Sequence, residues 1–270
     1  MTNIEGVINK RSSHASGIVF ADDDPYEFLC YMRTPKGEII TQYDLHDSEF
    51  CGAVKYDFLL TEVSDKIVEC IKLLQNDGKI EKDKSLREIY NKYLHPSVLP
   101  INDEQVWKAI QNNEVLNIFQ FDSDVGSQAI KKIKPKSMYE LTDSNGLMRL
   151  MTAEKGGESP LDKYARYKNN ISLWYKEMDA CGLSKEEQKT IEPYFKSSYG
   201  VPPSQEQLMQ MVMDKDICNF SLAEANDARK IVGKKIMSKI PELRDKILTK
   251  AKSKALGEYI WKYGVGPQVG

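Results

Sequence analysis

Two hydrophobic periods divide the chain. Up to about residue 60, apolar positions come in short runs: Gly17-Ile18-Val19-Phe20-Ala21, Tyr26 to Met32, Glu38 to Tyr43 and Val54 to Leu60. Asp22 to Pro25 and Thr34-Pro35-Lys36-Gly37 supply turns between them. This spacing predicts a small antiparallel sheet, too thin to be a complete domain. In the last run Lys55, Asp57 and Leu59 alternate with Val54, Tyr56, Phe58 and Leu60. An extended strand puts Lys55 and Asp57 on one face, roughly 6.5–7 Å apart, and turns Tyr56 and Phe58 toward a core.

After Leu60 the period becomes helical. Val63, Ile67, Val68, Ile71 and Leu74 recur on one face, with Gly78 as a stop. A short helix follows over Ser85 to Tyr93, and His95-Pro96 and Leu99-Pro100 break it. Asn102 with Gln105 predicts a capping box that opens a helix through Ile110. Ser123 and Asp124 are candidate N-caps for a helix toward Ile133, whose end carries Lys131, Lys132 and Lys134. Ser137 to Leu150 reads as another helix, and from Ser159 onward the chain is helical. Ser184 with Glu187, and Ser221 with Glu224, read as capping boxes. Trp174 to Cys181 has no clear period. Met209, Met211 and Met213 read as adaptable core filler. The fold class is therefore α+β: a small antiparallel sheet followed by a mostly helical region, divided into residues 1–62 and 63–270.

Composition narrows the class. The 270 residues are 41% hydrophobic and 29% charged, enough for a core and for solubility. No run of eighteen apolar residues predicts a membrane span, and Asn3, Glu5 and Asn9 interrupt any signal-peptide pattern. Five scattered cysteines without a CxxC suit reduced thiols in a cytoplasm, and three distant histidines argue against a zinc site. The net charge of −2 hides an asymmetry. Arg229 to Lys254 holds ten Lys/Arg against Glu242 and Asp245, so this stretch is +8 and the rest is −10. Such a tract is the footprint of phosphate contacts; it is equally the composition of a long solvated helix.

Lys55 and Asp57 sharing a strand face could bind a phosphate and a metal, or simply form an ion pair on a wet edge. Arg229 and Lys230 lie about 100° apart around a helix, so both can reach one ligand, with Lys234 one turn beyond Lys230. Gly233 leaves the spot one turn beyond Arg229 bare, which a phosphate or base could use; otherwise it is the helix stop.

The order of these motifs resembles a known family. Arg11-Ser12-Ser13-His14-Ala15-Ser16-Gly17-Ile18-Val19-Phe20, Gln42-Tyr43-Asp44 and Val54-Lys55-Tyr56-Asp57-Phe58-Leu59-Leu60 resemble successive palm segments of the bacterial C-family replicative polymerases, the DNA polymerase III alpha subunits. Asn117 to Ser123 and Pro202 to Gln210 are similar to two further segments. Phe220-Ser221-Leu222-Ala223-Glu224-Ala225-Asn226-Asp227-Ala228-Arg229-Lys230-Ile231-Val232-Gly233-Lys234-Lys235 resembles the fingers helix over sixteen residues. There are departures. Leu147-Met148-Arg149-Leu150-Met151 stands where the family has Leu-Tyr-Arg-Pro-Gly, which puts that loop's role in doubt. The Gly-Ser phosphate loop and the strand Pro-Asp-x-Asp-x-Asp-Phe, carrying two of three metal-binding aspartates, are absent.

The resemblance implies a palm-and-fingers segment of a DNA-directed DNA polymerase. Asp57 is then the catalytic metal ligand, one ligand of a two-Mg²⁺ site. Lys55, Arg229 and Lys230 take the incoming triphosphate, Arg11 and His14 line the nucleotide site, and Lys234, Lys235 and Lys239 contact nucleic acid. Its partners are primer-template DNA, deoxynucleoside triphosphates and the rest of the polymerase, in the cytoplasm, and the isolated chain is expected to be inactive. The chain is expected to be an excised fragment or one subunit of a split polymerase. The rival readings are a non-catalytic nucleic-acid-binding protein derived from a polymerase, and a module whose Lys-rich helix binds an acidic protein.

Overall fold

Turn chemistry shapes the first part of the molecule. In the computed structural model, which describes residues 12–58, 61–149 and 158–269, β1 (Gly17–Phe20) pairs antiparallel with β4 (Val54–Asp57). A second hairpin joins β2 (Tyr31–Arg33) to β3 (Ile39–Thr41) around the Thr34–Gly37 turn. The described residues thus hold two two-stranded sheets where the sequence predicts one. The run from Tyr26 is shorter than expected because the Asp24 carboxylate accepts the Tyr26 N–H and starts a 3₁₀ turn at Pro25–Glu27. Between β3 and β4 lies α1 (Leu45–Phe50), which the pattern reading misses; Asp44 caps it by accepting the Asp47 N–H. The helix α2 (Glu62–Asn76) follows, with Gly78 in the left-handed region as its stop, and then α3 (Leu86–Tyr93).

The chain divides into two compact units, Met1–Tyr90 and Asn91–Gly270. The first has little interior. Leu29, Ala53, Ile71 and Ile89 are its buried apolar residues among those described. Of the predicted stripe on α2, only Ile71 is buried. Tyr56 and Phe58 do not enter a core: they are 56% and 51% exposed. They instead form, with Ile18, Phe20 and Val54, an apolar face of the β1–β4 ladder, with Phe20 edge-on to Tyr56 at 5.2 Å. Among the described residues nothing buries that face.

The second unit is a helical assembly. Its elements are α4 (Glu104–Gln111), α5 (Asp124–Ile133), α6 (Met138–Leu147), α7 (Pro160–Asn169), α8 (Ser172–Ala180), α9 (Lys185–Phe195), α10 (Gln205–Met213), α11 (Leu222–Gly233), α12 (Ile240–Lys250), α13 (Lys254–Tyr259) and α14 (Gly266–Val269). Capping is as expected at Ser123, Ser184 and Ser221, the last two as full capping boxes. At α4 the cap is Asp103, not Asn102: its carboxylate accepts the N–H groups of Gln105 and Val106. The aperiodic stretch forms α8, which buries Trp174 and Met178 one turn apart. The Trp174 indole N–H donates to the Tyr259 hydroxyl at 2.8 Å, and Gly200, at φ 79°, lies against the indole ring. Met211 is fully buried, with Met209 and Met213 packed beside the same core.

A polar network crosses this core. The Lys168 ammonium donates to the Ile133 and Lys134 carbonyls, each at 2.9 Å, closing the end of α5, and to Glu140 at 2.7 Å. Tyr199 and the Lys136 N–H donate to the same carboxylate, each at 2.7 Å. Burial works to raise the Glu140 pKa, but these three donors hold it below the usual range.

Candidate functional site

The register of the β1–β4 ladder builds the first candidate site. Gly17 stands opposite Asp57, and Val19 opposite Lys55. Side chains alternate along a strand, so Gly17, Val19, Lys55 and Asp57 share one face. On it the Lys55 ammonium lies 3.0 Å from Asp57 Oδ1. That hydrogen bond, outweighing slight desolvation, holds the Asp57 carboxyl below the usual carboxylate range. Ser16 Oγ also donates to Asp57, at 3.4 Å.

Beside this face is a cavity of about 430 Å³ within the first unit, lined by His14, Val19, Lys55, Thr41, Tyr43 and Asp44 among others. His14 Nδ1 accepts the backbone N–H groups of Ser16 at 3.0 Å and Gly17 at 2.7 Å. His14 Nδ1 also lies 4.0 Å from Asp57 Oδ1. Lys55, Asp57 and His14 are therefore gathered in one place. Arg11 lies outside the described residues.

A divalent metal would need several oxygen ligands here. Asp57 can supply one. Among the described residues no three His, Cys, Asp or Glu side chains come together, so these residues do not form a metal site by themselves.

The second candidate site is the end of α11, in the second unit. Arg229 Nε and Nη2 both donate to Asn226 Oδ1, at 3.2 and 3.1 Å. This clamp, three residues back on the same helix, fixes the guanidinium with two of its five donors. Lys230, Lys234, Lys235 and Lys239 are exposed. Gly233 is not bare space for a phosphate: a Cβ there would meet the Gln205 side-chain nitrogen at 2.7 Å. Nor is Gly233 the left-handed stop. That residue is Lys235, at φ 49°, where its N–H donates to Val232 O and the Ile236 N–H to Ile231 O in a Schellman closure.

The basic tract is not one long helix. It runs through the end of α11, a 3₁₀ turn and α12. Much of its second half is paired internally. Lys250 and Lys246 reach Glu224 at 2.8 and 3.0 Å, Arg244 reaches Glu258 at 3.3 Å, and Lys252 reaches Asp216 at 3.8 Å. The Lys250 bond, with the Ser221 N–H and Lys246, draws the Glu224 carboxyl down to about 2. Lys230, Lys234 and Lys239 stand exposed in the first half of the tract. Among the described residues no helix is long and apolar enough to cross a membrane, and the five cysteines are free thiols.

Comparison with known proteins gives these sites a family. Residues 69–255 match the family model for the bacterial DNA polymerase III alpha subunit finger domain. Residues 1–60 match that for the bacterial DNA polymerase III alpha NTPase domain. The chain is 43% identical over 271 aligned positions to a "Probable DNA polymerase YorL" of Bacillus subtilis and to a "DNA-directed DNA polymerase" of Bacillus phage SPbeta, covering 99% of this chain and 21% of each relative. It is 27% identical over 245 positions to a DNA polymerase III subunit alpha of Aquifex aeolicus, covering 91% of this chain and 19% of that protein. The chain thus spans about a fifth of the length of these relatives. With an α+β fold, the Lys55–Asp57 strand inside one matched region and the Arg229–Lys230 helix inside the other, the chain belongs to the bacterial DNA polymerase III alpha subunit family.

Proposed function

We propose that this chain is a palm-and-fingers segment of a C-family DNA polymerase, with the palm in residues 1–62 and the fingers in 63–270. The whole enzyme adds deoxynucleotides to a primer 3′ end in the cytoplasm, and its partners are primer-template DNA, deoxynucleoside triphosphates and the rest of the polymerase. The observation that carries this reading is the Lys55–Asp57 pair at 3.0 Å beside a 430 Å³ cavity, inside a matched family region.

The pair has a defined chemistry. At rest Lys55 neutralises Asp57. A polyphosphate entering the cavity carries more negative charge than one carboxylate and competes for the ammonium. That exchange frees the carboxylate oxygen, which would be one ligand to a divalent ion such as Mg²⁺. Asp57 would help to hold such an ion, which when bound supplies Lewis-acid chemistry to phosphoryl oxygens. Its other ligands must come from beyond the described residues. Arg229, held by Asn226, and Lys230 supply further cations to the triphosphate, with Arg11 and His14 at the nucleotide site. Lys234, Lys235 and Lys239 contact nucleic acid.

The test is primer extension by a chimera in which this segment replaces the matching fifth of the SPbeta relative. Asp57→Ala is expected to abolish incorporation and to leave primer-template affinity unchanged. Normal incorporation by that variant would falsify the metal-ligand role. No extension by the unaltered, DNA-binding chimera would favour a non-catalytic nucleic-acid binder.

A further inference from the structure

We propose that Gly17 is a positioning residue: its bare Cα lets His14 and Lys55 close over the β1–β4 ladder and holds His14 as a fixed Nε2–H donor facing the polyphosphate. The inference rests on the nucleotide reading of the cavity and goes beyond it, to a residue and a protonation pattern.

Two observations carry it. The first is steric. A Cβ at Gly17 would lie 2.5 Å from Lys55 Cε and 2.9 and 3.0 Å from His14 Nδ1 and Cγ, well inside contact distance. Cross-strand register explains why. Position 17 is directly opposite Asp57 and diagonal to Lys55, on the face that carries both charges. Any side chain there occupies the space that the lysine stem and the imidazole now share. The obstructed atoms belong to an exposed ring and to the far end of a flexible stem. Alanine would therefore displace the two functional groups and leave the strand pairing in place.

The second is the hydrogen bonding. His14 Nδ1 accepts the N–H groups of Ser16 and Gly17 at 3.0 and 2.7 Å. The neutral ring then has its proton on Nε2. His14 lines the cavity together with Lys55. A neutral Nε2–H on a ring that lines the same cavity as Lys55 donates to an anionic oxygen without competing for Asp57. The same residue, Gly17, both anchors the acceptor nitrogen and leaves room for the ring.

Nitrogen-15 NMR of the full 270-residue chain, labelled at its three histidines, tests this directly. The expected result is His14 with Nδ1 unprotonated and Nε2–H protonated in the native chain, before any variant is made. Gly17→Ala is expected to convert that signal to a tautomer mixture while His46 and His95 keep theirs. In the SPbeta chimera the same substitution should raise the deoxynucleoside triphosphate KM about tenfold, the loss of a hydrogen bond to a charged group, with primer-template affinity unchanged. A protonated Nδ1 in the native chain, or a His14 signal indifferent to Gly17→Ala, overturns the positioning role. A lost tautomer with unchanged KM overturns the donor role of His14 and counts against the nucleotide reading of the cavity.

Discussion

The two units divide labour between an open surface and a packed interior. The second unit buries Trp174, Tyr164, Tyr167, Phe195 and Tyr259 in one continuous core and threads the Lys168–Glu140–Tyr199 network through it. The first unit buries little, carries Ile18, Phe20, Val54, Tyr56 and Phe58 exposed on one sheet face, and puts Lys55, Asp57 and His14 on the other side. In the second unit a charged group is costly to disturb because its neighbours cannot rearrange. In the first, water and flexible stems absorb the change, so substitutions there should alter ligand affinity more than stability.

The largest effect that sharpens this contrast is in the interior. Lys168 and Glu140 side chains are 9% and 11% exposed. Lys168→Met removes the cation, strands a buried carboxylate and opens the end of α5, so chemical denaturation should show a loss of about 3–5 kcal/mol. A loss under 1 kcal/mol would mean that the interior is as forgiving as the sheet.

Carboxylates of opposite sign come next. Asp143 is pushed up to about 6 by burial, against the opposing bond from Tyr164 and with help from Glu140. A raised folded value means that stability is fully present below the unfolded value, about 3.8, and is lost as pH rises through 6. Asp143→Asn can still accept the Tyr164 hydroxyl, so it should raise Tm at pH 8, with the gain shrinking as pH falls through 6. Asp57 in the first unit is depressed, chiefly by its Lys55 bond. Its contribution has the other sign, present above the unfolded value and lost in acid. Thermal melts from about pH 2 to pH 8 that gave both carboxylates the same sign would erase the contrast.

The smallest effect is on the open face. Tyr56→Ser should change the unfolding free energy by no more than about 0.5 kcal/mol, since the ring is already largely in water. A loss of several kcal/mol would show that this face is covered in solution.

Local chemistry was the legible part of this sequence. The capping boxes at Ser184 and Ser221 and the helix stop at Gly78 follow from residue types a few positions apart, and the structure has them. The Lys55–Asp57 proximity follows from strand alternation. Features that depend on partners distant in sequence were not legible. Tyr56 and Phe58 have the alternation of core residues, but alternation cannot report that this two-stranded ladder has no second layer among the described residues. Gly233 looked like room for a ligand because nothing in the local sequence announces Gln205. The +8 tract reads as a footprint of phosphate contacts or a solvated helix because Glu224, which occupies Lys246 and Lys250, lies just upstream of it. Gly17 could have been flagged as a glycine inside a strand pattern, but only the register reveals that it faces Asp57.

Lys55 and Arg229 are each proposed to bind the incoming deoxynucleoside triphosphate. Steady-state incorporation by the SPbeta chimera, with Lys55→Ala and Arg229→Ala made separately, tests it most directly. The account predicts that each raises the deoxynucleoside triphosphate KM roughly 10- to 150-fold, as expected for losing a charge-assisted hydrogen bond, with primer-template affinity unchanged. An Arg229→Ala variant that weakens primer-template binding while leaving the nucleotide KM where it was would contradict it.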